Sequence, residues 1–321
     1  MTKTLRRFGL VAAGLAMTLA AAACGGDNGT PGGGGNSGPA KLSGAVAVDG
    51  SSTVAPLSKA AADIFKEEQS GVSVTVGTSG TGGGFEKFCK GETDISDASR
   101  KIKETEKAKC DAAGITFAEF QIANDALSVV VHKDNNWVDC LTTAQLKKIW
   151  DQGSTVKNWK DVDPSFPDQT LALFGPGTDS GTFDFFTAAI NGKEDQSRSD
   201  YTASENDNVL VQGVAASKGG MGYFGFSYAE ENLDKLKILK VDGGAGCVAP
   251  AVASAQDGSY KPLSRPLFIY PSVKAMNSKP QVKGFVDFYV DNIDEIVTEA
   301  KFIPLTAAQK TALATAHGNA K

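Results

Sequence analysis

Residues 175–184 read GPGTDSGTFD, and Phe183 and Phe186 open a helical pattern at its end. Glycines and small hydroxyls crowd the point where a helix begins. Two other stretches, GSST at 50–53 and GTSGTGGGF at 77–85, have the same make-up. Each follows an apolar run of strand character and precedes apolar residues at helical spacing. A helix start leaves backbone N–H groups without intrahelical partners and carries partial positive charge, which suits it to an anion. Glycine lets the backbone come close to a ligand, and serine and threonine add donors without adding charge. Taken singly, each cluster reads as an ordinary N-cap. Three such helix starts converging from two lobes would enclose a small oxyanion.

The elements around these clusters alternate, which predicts an α/β protein. AVAVDG (45–50) reads as a buried strand, and Leu57, Ala60, Ala61, Ile64 and Phe65 recur at helical spacing after it. VSVTVG (72–77) is a second strand, GFEKF opens a second helix, and DISDAS (94–99) is a short third strand. The polar helix KIKETEKAKCDAAG and the strand TFAEFQIA complete one unit. ALSVVVHKD (126–134) begins another, followed by the helix TTAQLKKIW, the strand LALFG, the opening cluster with its helix, the helix of SENDNVLVQGVAASKG, and the strands MGYFGFSY and KLKILKVDG. RPLFIYPSV (265–273) reads as a strand returning to the first unit, ahead of the helix QVKGFVDFYVDNI and an alanine-rich last helix. The expected organisation is lobe I at 45–125 plus 255–321 and lobe II at 126–254. A hinge joins them beside a ligand cleft.

At 321 residues with 41% apolar residues, the chain can bury two substantial cores. Its first residues, MTKTLRRFGLVAAGLAMTLAAAAC, have the layout of a secretory signal: basic residues, a short apolar run, then small residues. Cys24 closes the run and GGDNGTPGGGGNSGPA follows it, a composition that stays a flexible tether. Residues 1–23 therefore read as a signal peptide, Cys24 as the lipidated first residue of a bacterial lipoprotein, and 24–44 as its leash. Ala21 departs from the bulky aliphatic residue usual three positions before such a cysteine. Membrane contact is expected through the anchor only. Removing residues 1–23 takes away three basic residues and no acidic one, moving the formal charge from −5 to −8. A surface so acidic, without a Lys/Arg cluster, disfavours nucleic acid as a partner.

Four cysteines lie beyond Cys24, at 89, 110, 140 and 247, and none falls in a C-x-x-C pair. In an oxidising compartment they read as two disulfides, with no metal site and no cofactor. Of three connectivities, Cys89–Cys110 with Cys140–Cys247 keeps each bridge inside one lobe. Catalysis has little to build on. The only histidines are His132, in a strand, and His317, in a tail expected to fray, and no nucleophile-elbow, Walker A or H-E-x-x-H motif occurs. Hydroxyl clusters without a base bind ligands; they do not attack them.

GSSTVAPLSKAAADIF, VGTSGTGGGFEKF, DISDASR, GPGTDSGTFDFF and NVLVQGVAASKGGMGYFGF together resemble, in order over roughly residues 45–300, the phosphate-binding proteins of bacterial high-affinity phosphate ABC transporters. These belong to the type II periplasmic binding protein superfamily. The resemblance implies a two-lobed fold that closes on inorganic phosphate. It implies no enzymatic activity, a monomer anchored outside the cytoplasm, and ABC transporter permease subunits as partners. It also implies ligand contacts from Ser52 and Thr53, from Ser79 or Thr81, and from Ser180, Gly181 and Thr182. The family's arginine a few residues before S-G-T is replaced here at about Pro176. Arg100, directly after Ser99, is the expected substitute. The family also uses an aspartate to accept the ligand's proton; Ser99 stands at that place, leaving Asp97 and Asp179 as candidates. A site that pairs a ligand proton rejects an analogue lacking it by on the order of 10⁴–10⁵-fold. The competing readings are a receptor for another tetrahedral oxyanion such as sulfate or molybdate, and a surface adhesion protein without transport.

Overall fold

The computed structural model describes residues 41–178 and 180–320. The expectations for the signal peptide, Cys24, the tether and Asp179 lie outside the described residues. Among the described residues twelve strands form two sheets: β1 (Ser43–Gly50), β2 (Gly71–Gly77), β3 (Ile95–Ala98), β4 (Phe120–His132), β5 (Cys140–Thr142), β6 (Ala172–Gly175), β7 (Thr202–Ala203), β8 (Gly220–Gly225), β9 (Leu236–Ile238), β10 (Lys240–Asp242), β11 (Cys247–Val248) and β12 (Ser264–Pro271). The large sheet runs β2-β1-β3-β12-β4-β8-β6-β7, with β9 also on β4, and β11-β10-β5 make the small one. β1 is parallel to β2 and β3, whereas β12 returns antiparallel to β3 and β4. The result is the mixed α/β, two-lobed fold.

β4 organises the molecule. Its first half, Phe120–Ala126, pairs with β12, and its second half, Leu127–Val131, pairs with β8. The chain thus passes from one core to the other without leaving the strand. The sequence suggests a break at Asn124–Asp125, yet the strand is unbroken because both polar side chains, themselves buried, find partners. Asn124 donates to Pro304 O and to Gln309 Oε1, each at 3.1 Å. Asp125 pairs with Arg265, its cross-strand neighbour on β12.

The first core packs Val46, Val48 and Leu267 under the helices Ala55–Glu68, Pro280–Asp291 and Ile293–Glu299. Leu57, Ala61 and Phe65 recur every fourth residue on the buried face of Ala55–Glu68, and a proline in its first turn suits the start. The second core is aromatic: Phe186 stacks on Tyr223 at 3.8 Å and Trp150 meets Tyr223 edge-on at 4.9 Å. Ala255, Tyr260 and Leu263, read from sequence as part of the return segment, pack into this second core. The return to the first core therefore comes at β12. Two other boundaries move. The MGYFGFSY strand stops at Gly225, where Phe226–Glu230 turns helical, and KLKILKVDG divides between the two sheets at Leu239.

Both disulfides form with the expected connectivity. Cys89–Cys110 ties the helix Gly80–Cys89 to Glu104–Ala112, and Cys140–Cys247 joins the outer strands β5 and β11 of the small sheet across β10. His317, expected in a frayed tail, is instead buried, with Nε2 2.7 Å from Asp287 Oδ1 and its ring edge-on to Phe120. A partner thirty residues earlier in the chain fixes the last helix.

Candidate functional site

The first cluster, Ser51–Thr53, links β1 to the helix Ala55–Glu68. Ser51 N–H donates to Asp97 O at 2.9 Å, holding the turn on β3. Gly50, at φ 149°, lies where a Cβ would stand 2.1 Å from that same carbonyl, so no other residue fits. The two hydroxyls beyond reach the third cluster. Thr53 donates to Gly181 O at 3.0 Å, and Ser52 donates to Asp184 Oδ2 at 2.9 Å.

The third cluster opens the short helix Gly181–Phe186, where Ser180 Oγ accepts from Thr182 N–H at 3.1 Å and acts as its N-cap. Gly181 is set against Thr53 so tightly that a Cβ would lie 2.5 Å from the Thr53 nitrogen. Gly181→Ala is therefore expected to force the two clusters apart, lowering stability by about 1–3 kcal/mol and weakening anion binding; thermal melts and ligand titration of the variant measure both.

The second cluster is organised by Asp49. Ser79 donates to Asp49 Oδ1 through its N–H at 3.1 Å and through its hydroxyl, while Lys87 Nζ donates to Oδ2 at 2.7 Å. Burial opposes the charge on Asp49, but the bonds from Lys87 and Ser79 outweigh it and hold the carboxyl below its ordinary pKa. Ser79 flanks its helix without capping it. Thr81 Oγ1 accepts from Ser99 N–H at 3.2 Å and lies 3.0 Å from Ser99 Oγ, so these two candidates come together.

The charged candidates fare differently. Arg100 lies at the cleft, but both its terminal nitrogens donate to Glu106, each at 2.8 Å. Its fork is occupied by a carboxylate. Asp97 is fully buried, its Oδ1 accepting from Ser58 at 2.8 Å, and it lines neither cleft. Burial raises its pKa to about 8, the Ser58 bond opposing and the Asp49 charge adding to the rise. An ion in either cleft cannot reach it without rearrangement of β3.

Arg265, which sequence reasoning missed, occupies the centre. Its side chain is 13% exposed and lies over the Phe185 ring, 3.6 Å from the centroid. Nε donates to Asp125 Oδ2 at 3.2 Å, and Nη2 donates to Thr53 Oγ1 at 2.6 Å and to Gly181 O at 3.4 Å. Among the described residues Nη1 has no hydrogen-bond partner. Burial works against both charges of the pair, raising the pKa of Asp125 and lowering that of Arg265, and their mutual attraction offsets part of it. The available signal was a lone arginine at the head of an otherwise apolar returning strand.

Two clefts meet at these residues. The larger, about 1250 Å³, is lined by Ser52, Thr53, Ser79, Thr81, Ser99, Arg100, Arg265 and Asp184 among others. The smaller, about 360 Å³, takes in Ser180, Gly181 and Thr182. Ser52 and Thr53 line both and, with their bonds to Gly181 and Asp184, form the wall between them. The structure thus gathers the first two clusters in one cleft with Thr178 and Asp184 of the third, and turns Ser180, Gly181 and Thr182 toward the other. Among the described residues no group of His, Cys, Asp or Glu is placed to hold a metal, and no helix is long and apolar enough to cross a membrane.

Comparison with known proteins agrees with this fold. Residues 35–292 match the model of the PBP superfamily domain. The chain is 49% identical over 270 residues to Protein SphX of Synechococcus elongatus, covering 83% of this chain and 79% of that one. It is 41% identical over 306 residues to the phosphate-binding protein PstS of Staphylococcus saprophyticus, covering 94% and 91% respectively. Among solved structures, a possible phosphate binding protein from Planctomyces limnophilus superposes with a TM-score of 0.83 at 47% identity, covering 87% of this chain and 99% of that one. The chain belongs to the PBP superfamily, in the group that contains the PstS phosphate-binding proteins.

Proposed function

We propose that this chain is an extracytoplasmic receptor that captures inorganic phosphate and hands it to the permease of an ABC importer, held to the membrane by lipid on Cys24. One observation carries the reading: a cleft lined by Ser52, Thr53 and Ser79 contains a desolvated guanidinium, Arg265, whose Nη1 has no hydrogen-bond partner among the described residues. A buried guanidinium with an open edge, among hydroxyls that can turn from their present acceptors to a ligand, suits an oxyanion. It also explains how a chain of net charge −5 holds an anion, since local donors override the distant field.

In this reading the ion sits against Ser52 and Thr53, the residues common to both clefts. Ser79, Thr81 and Ser99 serve it from one lobe. Ser180, Gly181 and Thr182 serve it from the other, once the direct Thr53–Gly181 and Ser52–Asp184 bonds give way to bonds through the ligand. Arg265 takes the part expected of Arg100. Asp97 supports β3 without touching the ion. The boundaries follow the core: lobe I at 45–125 with the return through β12, lobe II between them, and the hinge where β4 changes partners. Neither histidine lines a cleft, and no step of chemistry is assigned. Support from relatives includes a candidate phosphate ABC transporter substrate-binding protein from Clostridium perfringens solved with bound phosphate, 28% identical with a TM-score of 0.57.

Differential scanning calorimetry of anion-stripped protein tests the reading. Phosphate at a thousand times its dissociation constant is expected to add about 4 kcal/mol to the folded state and raise the melting temperature by several degrees. An unchanged melt across millimolar phosphate would overturn the proposal.

A further inference from the structure

Three kinds of contact fix the Arg265 guanidinium. Asp125 accepts from Nε, and Thr53 Oγ1 and Gly181 O share Nη2. The third contact is to its face, where the Phe185 ring centroid lies 3.6 Å from Cζ. Among the described residues no other cation comes so near an aromatic ring. Lys301 stands 4.6 Å from Tyr228, and Arg100 and Lys101 each stand 5.8 Å from Phe85 and Phe268 respectively. A separation of 3.6 Å is van der Waals contact between carbons, too close for an N–H to be wedged between them. The guanidinium therefore lies along the ring, with its donors directed outward around the rim.

We infer that Phe185 is a positioning residue for the bound ion: its ring holds Arg265 by a cation–π stack in the plane that leaves Nη1 to the cleft. The inference rests on the phosphate reading and deepens it. A carboxylate orients a guanidinium by consuming donors, as Glu106 does with both terminal nitrogens of Arg100. A ring attracts the positive charge to its face and leaves every N–H available to an anion. Phe185 and Gly181 stand four residues apart on the helix Gly181–Phe186, and so on one side of it. That side meets the guanidinium twice, with a carbonyl at its edge and a ring on its face. The ring is itself anchored, because Phe185 packs into the second core with Phe186 and Trp150 while lining the larger cleft. Its place is set by the packing behind it. Burial in the cleft wall strengthens the stack, since a cation–π contact is worth most where water is excluded.

Phosphate affinity should therefore depend on the electrons of the ring and not on its bulk alone. Fluorine on the ring withdraws electron density from the face and weakens its hold on a cation, while the shape hardly changes. A residue that only fills space would not register the difference.

The test is isothermal titration of inorganic phosphate into anion-stripped wild type, Phe185→Leu, and proteins carrying phenylalanine with one, two or three ring fluorines at position 185. Affinity should fall stepwise with fluorine number, reaching about 5- to 10-fold below wild type at three, and Phe185→Leu should lose at least as much. The same fluorinated residues at Phe186, which stacks on Tyr223, should leave affinity unchanged. If Phe185→Leu does not fold, the fluorinated series decides alone, because it keeps the shape of the side chain. Equal affinity across the series at 185 overturns the inference and leaves Phe185 a packing residue, whatever Phe185→Leu does. A stepwise loss at 186 as large as that at 185 overturns it too. A wild type that binds no phosphate overturns the phosphate reading as well.

Discussion

Arg265→Ala is expected to abolish measurable phosphate binding and to lower folding stability by about 3–5 kcal/mol. The stability loss has a specific cause. Asp125, 7% exposed, would keep its desolvation penalty and lose the partner that offsets it. The binding loss has another, because the guanidinium also sets the Thr53 hydroxyl from 2.6 Å. A double variant separates them. Asp125→Leu with Arg265→Met removes both charges, so chemical denaturation should recover most of the stability while phosphate titration stays silent. Arg265→Lys keeps a charge without the fork and should restore binding in part. Arg100→Ala should alter phosphate affinity by no more than about 5-fold, as expected for a partly exposed ion pair with Glu106. If Arg100→Ala abolishes binding and Arg265→Ala does not, the cationic group has been assigned to the wrong strand.

Asp97→Asn should make the protein more stable in alkaline solution. The Asp97 carboxyl is raised to about 8 by burial, against an ordinary value near 3.9 in the unfolded chain. The folded state therefore prefers the protonated acid. Its contribution is fully present below about pH 4, declines as pH rises, and is lost once pH passes about 8 and the buried carboxylate ionises. Asparagine keeps the shape and the acceptor for Ser58 while removing the charge. At pH 9 the variant should exceed wild type by a few kcal/mol, because a tenfold change in proton affinity between folded and unfolded chain corresponds to about 1.4 kcal/mol. At pH 4 the two should nearly coincide. Urea denaturation at both pH values measures this, and parallel pH profiles would show that Asp97 is not held in its neutral form.

Local chemistry explains how far the sequence can be read. The strand-to-helix junctions at Gly50–Thr53 and Gly77–Thr81 are legible because only glycine and small hydroxyls suit a close turn before a helix. The disulfides are legible because each bridge stays among neighbouring elements, one between two helices and one within the small sheet. Features that depend on a distant partner are not. Asn124–Asp125 looks like a break in β4 until Gln309 and Arg265, 185 and 140 residues away, are brought to it. Arg265 itself looks like the edge of an apolar strand. Arg100 looks like a free guanidinium because Glu106, six residues on, resembles any other helix-surface carboxylate. Periodicity reports which face of an element is buried and not what it meets there.

A crystal structure of the phosphate-saturated protein would decide most directly whether Arg265 and the hydroxyl clusters hold the ion. A tetrahedral ion is expected between the lobes at Ser52 and Thr53, with Arg265 donating to it and the Thr53–Gly181 contact replaced by bonds through the ion. An ion held at Arg100 while Arg265 still points only at Asp125, Thr53 and Gly181, or a cleft empty at saturating phosphate, would contradict that assignment.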